Sequence, residues 1–132
     1  GIYLKRYNVN IALETDLNPI DFINLIKRIS NKNIRVNYDI GNSASLGFDM
    51  IEEIKTYGNL ISNIHVKDRT LNGGSCVLGT GDAKLENFFS NVNKIAGDYL
   101  LIMQCYRDDE GVSIFKDQLK YFKRILNGRR YF

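Results

Sequence analysis

IRVNYDIGNSASLGFDMIEEIKTYG, residues 34–58, decides the fold. Ile34 to Ile40 form a short β-branched run, GNSASLG reads as a loop, and Met50, Ile51, Ile54 and Tyr57 then recur at helical spacing until Gly58 ends them. Strand, loop and helix in that order make one βα unit.

The same unit repeats on either side. Upstream, VNIALET (Val9 to Thr15) predicts a strand, followed by a helix capped by Asn18 with Pro19 at its first position, where a missing N–H costs nothing. Its expected buried stripe is Phe22, Ile23, Ile26 and Ile29. Downstream, ISNIHV (Ile61 to Val66) is a third strand, and the glycine-rich loop KDRTLNGGSCVLGTGD leads to a helix with Leu85, Phe88, Phe89, Val92 and Ile95, closed by Gly97. YLLIMQCY (Tyr99 to Tyr106) is the fourth strand. The last helix carries Ile114, Phe115, Leu119, Phe122, Ile125 and Leu126 up to Gly128. Four strand-helix units in succession argue for an α/β protein with a parallel sheet. Such a sheet has two open edges, which something must cover.

Size and composition set bounds on function. With 132 residues the chain suits one domain, about half of the ~250 residues of an eight-stranded α/β barrel. GIYLKRYN reads as the last turns of a helix entering a strand, so the chain, opening on Gly1, is expected to be cut from a larger architecture. No apolar run approaches the ~20 residues that span a bilayer. Net charge is +3 with basic and acidic residues interspersed, which argues against a nucleic-acid partner, and the GRRYF tail reads as a solvated end. Cys76 and Cys105 lack a metal-site spacing and are expected to be reduced thiols in a cytoplasm.

Chemistry is expected at the strand ends. Each strand brings one polar residue towards its C-terminal end: Glu14, Asp39, His65 and Gln104. Ligands of parallel α/β folds bind at that end, so topology alone makes the four converge. Two carboxylates, an imidazole and an amide oxygen form an N/O shell suited to Mn²⁺, Co²⁺, Mg²⁺ or Zn²⁺. Each also has a structural role open to it: Glu14 as a turn cap, Asp39 as a loop anchor, His65 as a core imidazole. Lys67 and Arg69 follow the single histidine at alternate positions, two cations placed to meet an anionic substrate group; Asn42, on the GNS loop, is a further candidate for substrate binding. Gly79 and Gly81 of GTGD could let backbone N–H groups approach a phosphate.

The stretches IALET, YDIGNSASLGFD, NIHVKDR and LGTGD resemble the C-terminal half of the sugar phosphate isomerase/epimerase family of TIM barrels, related to xylose isomerase and endonuclease IV. The loop Asp39–Gly47 is most similar to that of the L-ribulose-5-phosphate and L-xylulose-5-phosphate 3-epimerases. The resemblance implies half a (β/α)8 barrel, strands five to eight in a single domain over residues 1–132, with the N-terminal half absent. It also implies a divalent metal on Glu14, Asp39, His65 and the fourth strand, a sugar or sugar-phosphate substrate, and proton transfer by Glu14 through an enediolate. Gln104 stands where the family has a second glutamate. Gln104 can ligate through oxygen but carries no exchangeable acid proton, so a two-base epimerisation is in question while one-base isomerisation is open. A catalytically impaired remnant that binds a sugar phosphate or a protein is the alternative. The half-barrel is expected to pair with a second copy or a partner half. An abasic-site endonuclease would need more histidines than His65.

Overall fold

The computed structural model of the protein describes residues 2–94, 97–109 and 111–127. The expectations for Gly1, Ile95, Gly128 and the GRRYF tail fall outside the described residues. In chain order the elements are α1 (Ile2–Arg6), β1 (Ile11–Leu13), α2 (Pro19–Ile29), β2 (Ile34–Asp39), α3 (Ile40–Leu46), α4 (Met50–Tyr57), a 3₁₀ turn (Gly58–Leu60), β3 (Ile61–Val66), β4 (Asp68–Arg69), β5 (Ser75–Cys76), α5 (Leu85–Val92), β6 (Leu100–Met103) and α6 (Val112–Asn127).

The four expected strands pair in parallel in the order β1-β2-β3-β6. Each successive strand lies beside the last, with helices in the crossovers, so all four C-terminal ends point the same way. The starts of α2, α3 and α4 follow side-chain caps, Asn18, Asp39 and Asp49. The Asn18 side chain accepts from the Asp21 N–H at 3.0 Å, and Pro19 opens α2 as expected.

The core lies between the sheet and its helices. Val36, Tyr38, Ile61, Ile64 and Val66 from the strands are buried against Phe22, Ile26, Ile54, Phe88, Phe89, Val92 and Phe122. The Tyr38 and Phe88 rings stack at 5.0 Å, and Phe88 meets Phe89 edge-on at 5.1 Å. Burial of each such ring contributes on the order of 2–3 kcal/mol. The opposite face of the sheet is different: alternation along β2 and β3 places Asn37, Asp39, Asn63 and His65 there, with Asp39 directly opposite His65 in register. On β6 the register sets Leu100 and Ile102 beside Asn63 and His65, and Leu100, Leu101 and Ile102 are all exposed.

Several sequence expectations are corrected. The first strand is Ile11–Leu13 rather than Val9 to Thr15; its ladder to β2 ends at the Leu13–Val36 pair, the level at which the β2–β3 register shifts with Ser62 of β3 as the extra residue. The fourth is Leu100–Met103 rather than Tyr99 to Tyr106, an edge strand paired among the described residues with β3 alone, although the Gln104 N–H still reaches the Val66 carbonyl at 3.1 Å. GNSASLG is helix, not loop: the Asp39 carboxylate caps α3 by accepting from the Asn42 N–H at 2.8 Å, and Gly47, at φ +71°, ends it in the left-handed conformation. The glycine-rich segment after β3 contains the small antiparallel pair β4–β5. Ile29 and Phe115 are exposed rather than in their expected stripes.

Candidate metal centre

Three strand ends bring Glu14, Asp39 and His65 together, one ligand atom of each lying within 4.8 Å of the others. Glu14 follows β1 directly, Asp39 ends β2, and His65 is the next-to-last residue of β3. His65 Nδ1 is 3.3 Å from Glu14 Oε2 and 3.6 Å from Asp39 Oδ2. Parallel register is what makes this possible: Asp39 and His65 are paired residues on one face of adjacent strands.

The two carboxylates are held differently. Asp39 is buried, its side chain only 1% exposed; Oδ1 takes the Asn42 N–H, while Oδ2 has no hydrogen-bond partner among the described residues. A buried carboxylate oxygen without a donor is costly unless a cation meets it. Lys67 Nζ lies 3.5 Å away and supplies part of that charge. Glu14 is half-exposed, and both its oxygens accept hydrogen bonds, Oε2 from Asn37 Nδ2 at 2.5 Å and Oε1 from Asn42 Nδ2 at 3.0 Å. Two oxygens and a ring nitrogen converge, one oxygen unsatisfied, and this donor set fits a divalent cation of the borderline or hard class.

Asn37 is a site residue that the sequence reading missed. Its amide nitrogen also lies 3.4 Å and 3.2 Å from the two ring nitrogens of His65, so it touches two of the three cluster members. The signal was there: Asn37 precedes Asp39 by two residues and so shares its face of the strand.

The remaining expected residues form a layer beside the cluster. Lys67 Nζ is 3.3 Å from both Asn42 Oδ1 and Gln104 Oε1. Thus the Gln104 amide oxygen faces an ammonium group. The Arg69 guanidinium donates to Asn42 Oδ1 at 2.9 Å and, through Nε and Nη2, to the Gly73 carbonyl at 3.0 and 2.7 Å. Arg69 therefore braces the loop after β4 while touching Asn42. Both cations lie close over α3 because residue 41 is glycine: a Cβ there would come within 2.8 Å of Lys67 Cγ.

The phosphate reading of Gly79 and Gly81 is overturned. Their N–H groups donate to Asp68 Oδ2 at 2.8 and 3.0 Å, and the Ala83 N–H donates to Oδ1 at 3.1 Å. An internal carboxylate, itself buried, already fills the cradle. Cys76 and Cys105 are free thiols. Among the described residues no helix is long and apolar enough to cross a membrane.

The family model described as xylose isomerase-like TIM barrel matches residues 1–125. Among solved structures, a xylose isomerase domain protein from Planctomyces limnophilus aligns with a TM-score of 0.74 at 20% identity, over 88% of this chain and 46% of that one. The chain thus spans about half the length of that protein, and the likeness is one of fold. No curated protein matches the chain.

Proposed function

The chain belongs to the xylose isomerase-like TIM barrel family, and from that premise we propose that it is a divalent-metal-dependent isomerase or epimerase of a sugar or sugar phosphate. The observation that carries the reading is the unsatisfied Asp39 Oδ2, buried beside Glu14 and His65. Glu14, Asp39 and His65 would hold the cation, with the Gln104 amide oxygen as a fourth ligand. When bound, it would supply the positive charge that polarises the carbonyl and hydroxyl oxygens of the sugar.

The chain's own residues supply the proton chemistry. Glu14 is the one carboxylate of the cluster open to solvent and substrate; it takes a proton from the hydroxyl-bearing carbon beside the carbonyl and returns it to the former carbonyl carbon, while the hydroxyl proton passes to the former carbonyl oxygen. Asn37 and Asn42, one on each oxygen, orient it. Gln104 cannot exchange a proton, so the reading is a one-base isomerisation along one face of the enediol. Lys67, with Asn42 and Arg69 around it, offers the positive side of the site to substrate oxygens or a phosphate.

The four strands are read as strands five to eight of the barrel, the open sheet face being covered by the other half of a barrel or by a second copy of the chain. Isothermal titration with Mn²⁺ and Co²⁺, followed by ¹H NMR of a ketose phosphate in D₂O, tests the function. Micromolar binding and loss of the α-proton signal are expected; absence of both would end the proposal.

Gln104 favours a second reading, a module that binds a sugar phosphate without turning it over. Gln104→Glu separates the two. A gain in α-proton exchange supports an enzyme weakened at this position, whereas unchanged, negligible exchange in an assembled barrel favours binding.

A further inference from the structure

Glu53 is a buried carboxylate to which the proposed chemistry gives no part. It lies on α4, only 3% exposed, and among the described residues it makes no ion pair. Three hydroxyl groups converge on it instead. Tyr57 donates to Oε1 at 2.7 Å, Tyr38 donates to Oε2 at 2.7 Å, and Ser43 donates to Oε2 in a short bond. Burial without a cation pushes its carboxyl above the ordinary range, so the fold pays for keeping this acid inside. Only a carboxylate accepts from all three hydroxyls while presenting no donor of its own.

What the acid joins is informative. Tyr38 stands between Asn37 and Asp39 on β2, and Ser43 follows Asn42 on α3. α3 has seven residues, IGNSASL, too short and too polar to hold itself in place. Yet Asn42 of that helix touches both carboxylates of the candidate centre, its N–H on Asp39 Oδ1 and its side-chain amide on Glu14 Oε1. One small cavity is lined by residues of both groups, Glu14, Asp39 and Asn42 together with Ser43, Glu53 and Tyr57.

We propose that Glu53 is a positioning residue: through Ser43 and Tyr38 it locks α3 to the end of β2, and so sets Asn42 and, through it, the two carboxylates that would hold the metal. The metal part of this inference rests on the proposed function; the clamp on α3 does not.

Glu53→Leu keeps the volume and removes the acceptor, and Glu53→Gln keeps one acceptor oxygen. In the cation-free full chain, backbone amide exchange of residues 42–47 is expected to quicken at least about tenfold in Glu53→Leu and less in Glu53→Gln, with the β2–β3 ladder unchanged. Mn²⁺ affinity, read by calorimetry well below the melting temperature, is expected to fall about tenfold in Glu53→Leu and to recover most of the way in Glu53→Gln. Unchanged exchange over residues 42–47 in a folded Glu53→Leu protein overturns the clamp. Faster exchange with undiminished Mn²⁺ affinity overturns the positioning of the ligands. If the wild-type chain binds no Mn²⁺, the metal reading fails on its own and the exchange result alone decides the clamp. Should Glu53→Leu not fold, Ser43→Ala removes one arm, and the same quickening is expected there.

Discussion

Asp39 and His65 are register partners across the β2–β3 ladder, and His65 Nδ1 stands 3.6 Å from the Asp39 oxygen that lacks a hydrogen bond. Asp39 has two tasks, since its other oxygen caps α3. Asp39→Asn can separate them, because an asparagine oxygen still caps a helix while the amide removes the anionic ligand. Mn²⁺ affinity should drop by more than the ~10–100-fold typical of an outer-shell partner, with the melting temperature within a few degrees of wild type. Calorimetry and a thermal melt on one sample decide it. Equal Mn²⁺ affinity in the variant would remove Asp39 from the ligand set.

Gly41 is a second point where two effects oppose each other. In a helix, alanine should be favoured over glycine by about 1 kcal/mol. However, the new Cβ would meet Lys67 Cγ at 2.8 Å, the Lys67 carbonyl carbon at 3.2 Å and Arg69 Cγ at 3.2 Å. One of these is backbone and cannot swing away, so overpacking of about 1–3 kcal/mol should win. Gly41→Ala is therefore expected to lower stability in urea unfolding, by up to about 2 kcal/mol. A stabilised variant would show that Lys67 and Arg69 are free to move off α3.

Much of this arrangement could be read from residue order. β-branched runs gave the strands, Asn18 and Pro19 the start of α2, and strand-end position alone brought Glu14, Asp39 and His65 to one place. What escaped reading depended on side chains meeting across elements. α3 looked like a loop because Gly, Asn and Ser are poor helix formers, and its helix is secured by Asp39, Gly47 and Ser43 rather than by propensity. Glu53 was not singled out at all, since the three hydroxyls that hold it come from residues 38, 43 and 57, on three separate elements. Gly79 and Gly81 gave the right conformation but the wrong anion, since the partner is the chain's own Asp68.

Cys105 offers a check on burial at the end of β6. Burial raises its thiol to about 11, and the thiol donates weakly to the Val66 carbonyl at 3.8 Å. Only the thiolate reacts, so alkylation at pH 8 should be slower than for an ordinary exposed thiol by about a hundredfold. Iodoacetamide labelling followed by peptide mass mapping measures this directly. Reaction at the rate of a free cysteine would mean that the β6 end opens in solution.

Glu53 should leave a signature in the pH dependence of stability. Its carboxyl is raised from 4.5 in the fold, chiefly by burial, while in the unfolded chain it stays near that value. Below 4.5 both states hold the proton, and this group adds no pH dependence. As the pH rises past 4.5 the unfolded chain releases its proton first, so it binds fewer protons than the folded state and stability falls until the folded group titrates too. The slope from this one group cannot exceed about 1.4 kcal/mol per pH unit. Glu53→Gln has nothing to titrate at this position and is the reference. Urea unfolding of both proteins between about pH 4.5 and pH 7 should show the wild type losing stability relative to Glu53→Gln as the pH rises. A constant difference across that range would mean that the acid is ionised equally in both states, and that water or a cation reaches the space between Tyr38, Ser43 and Tyr57.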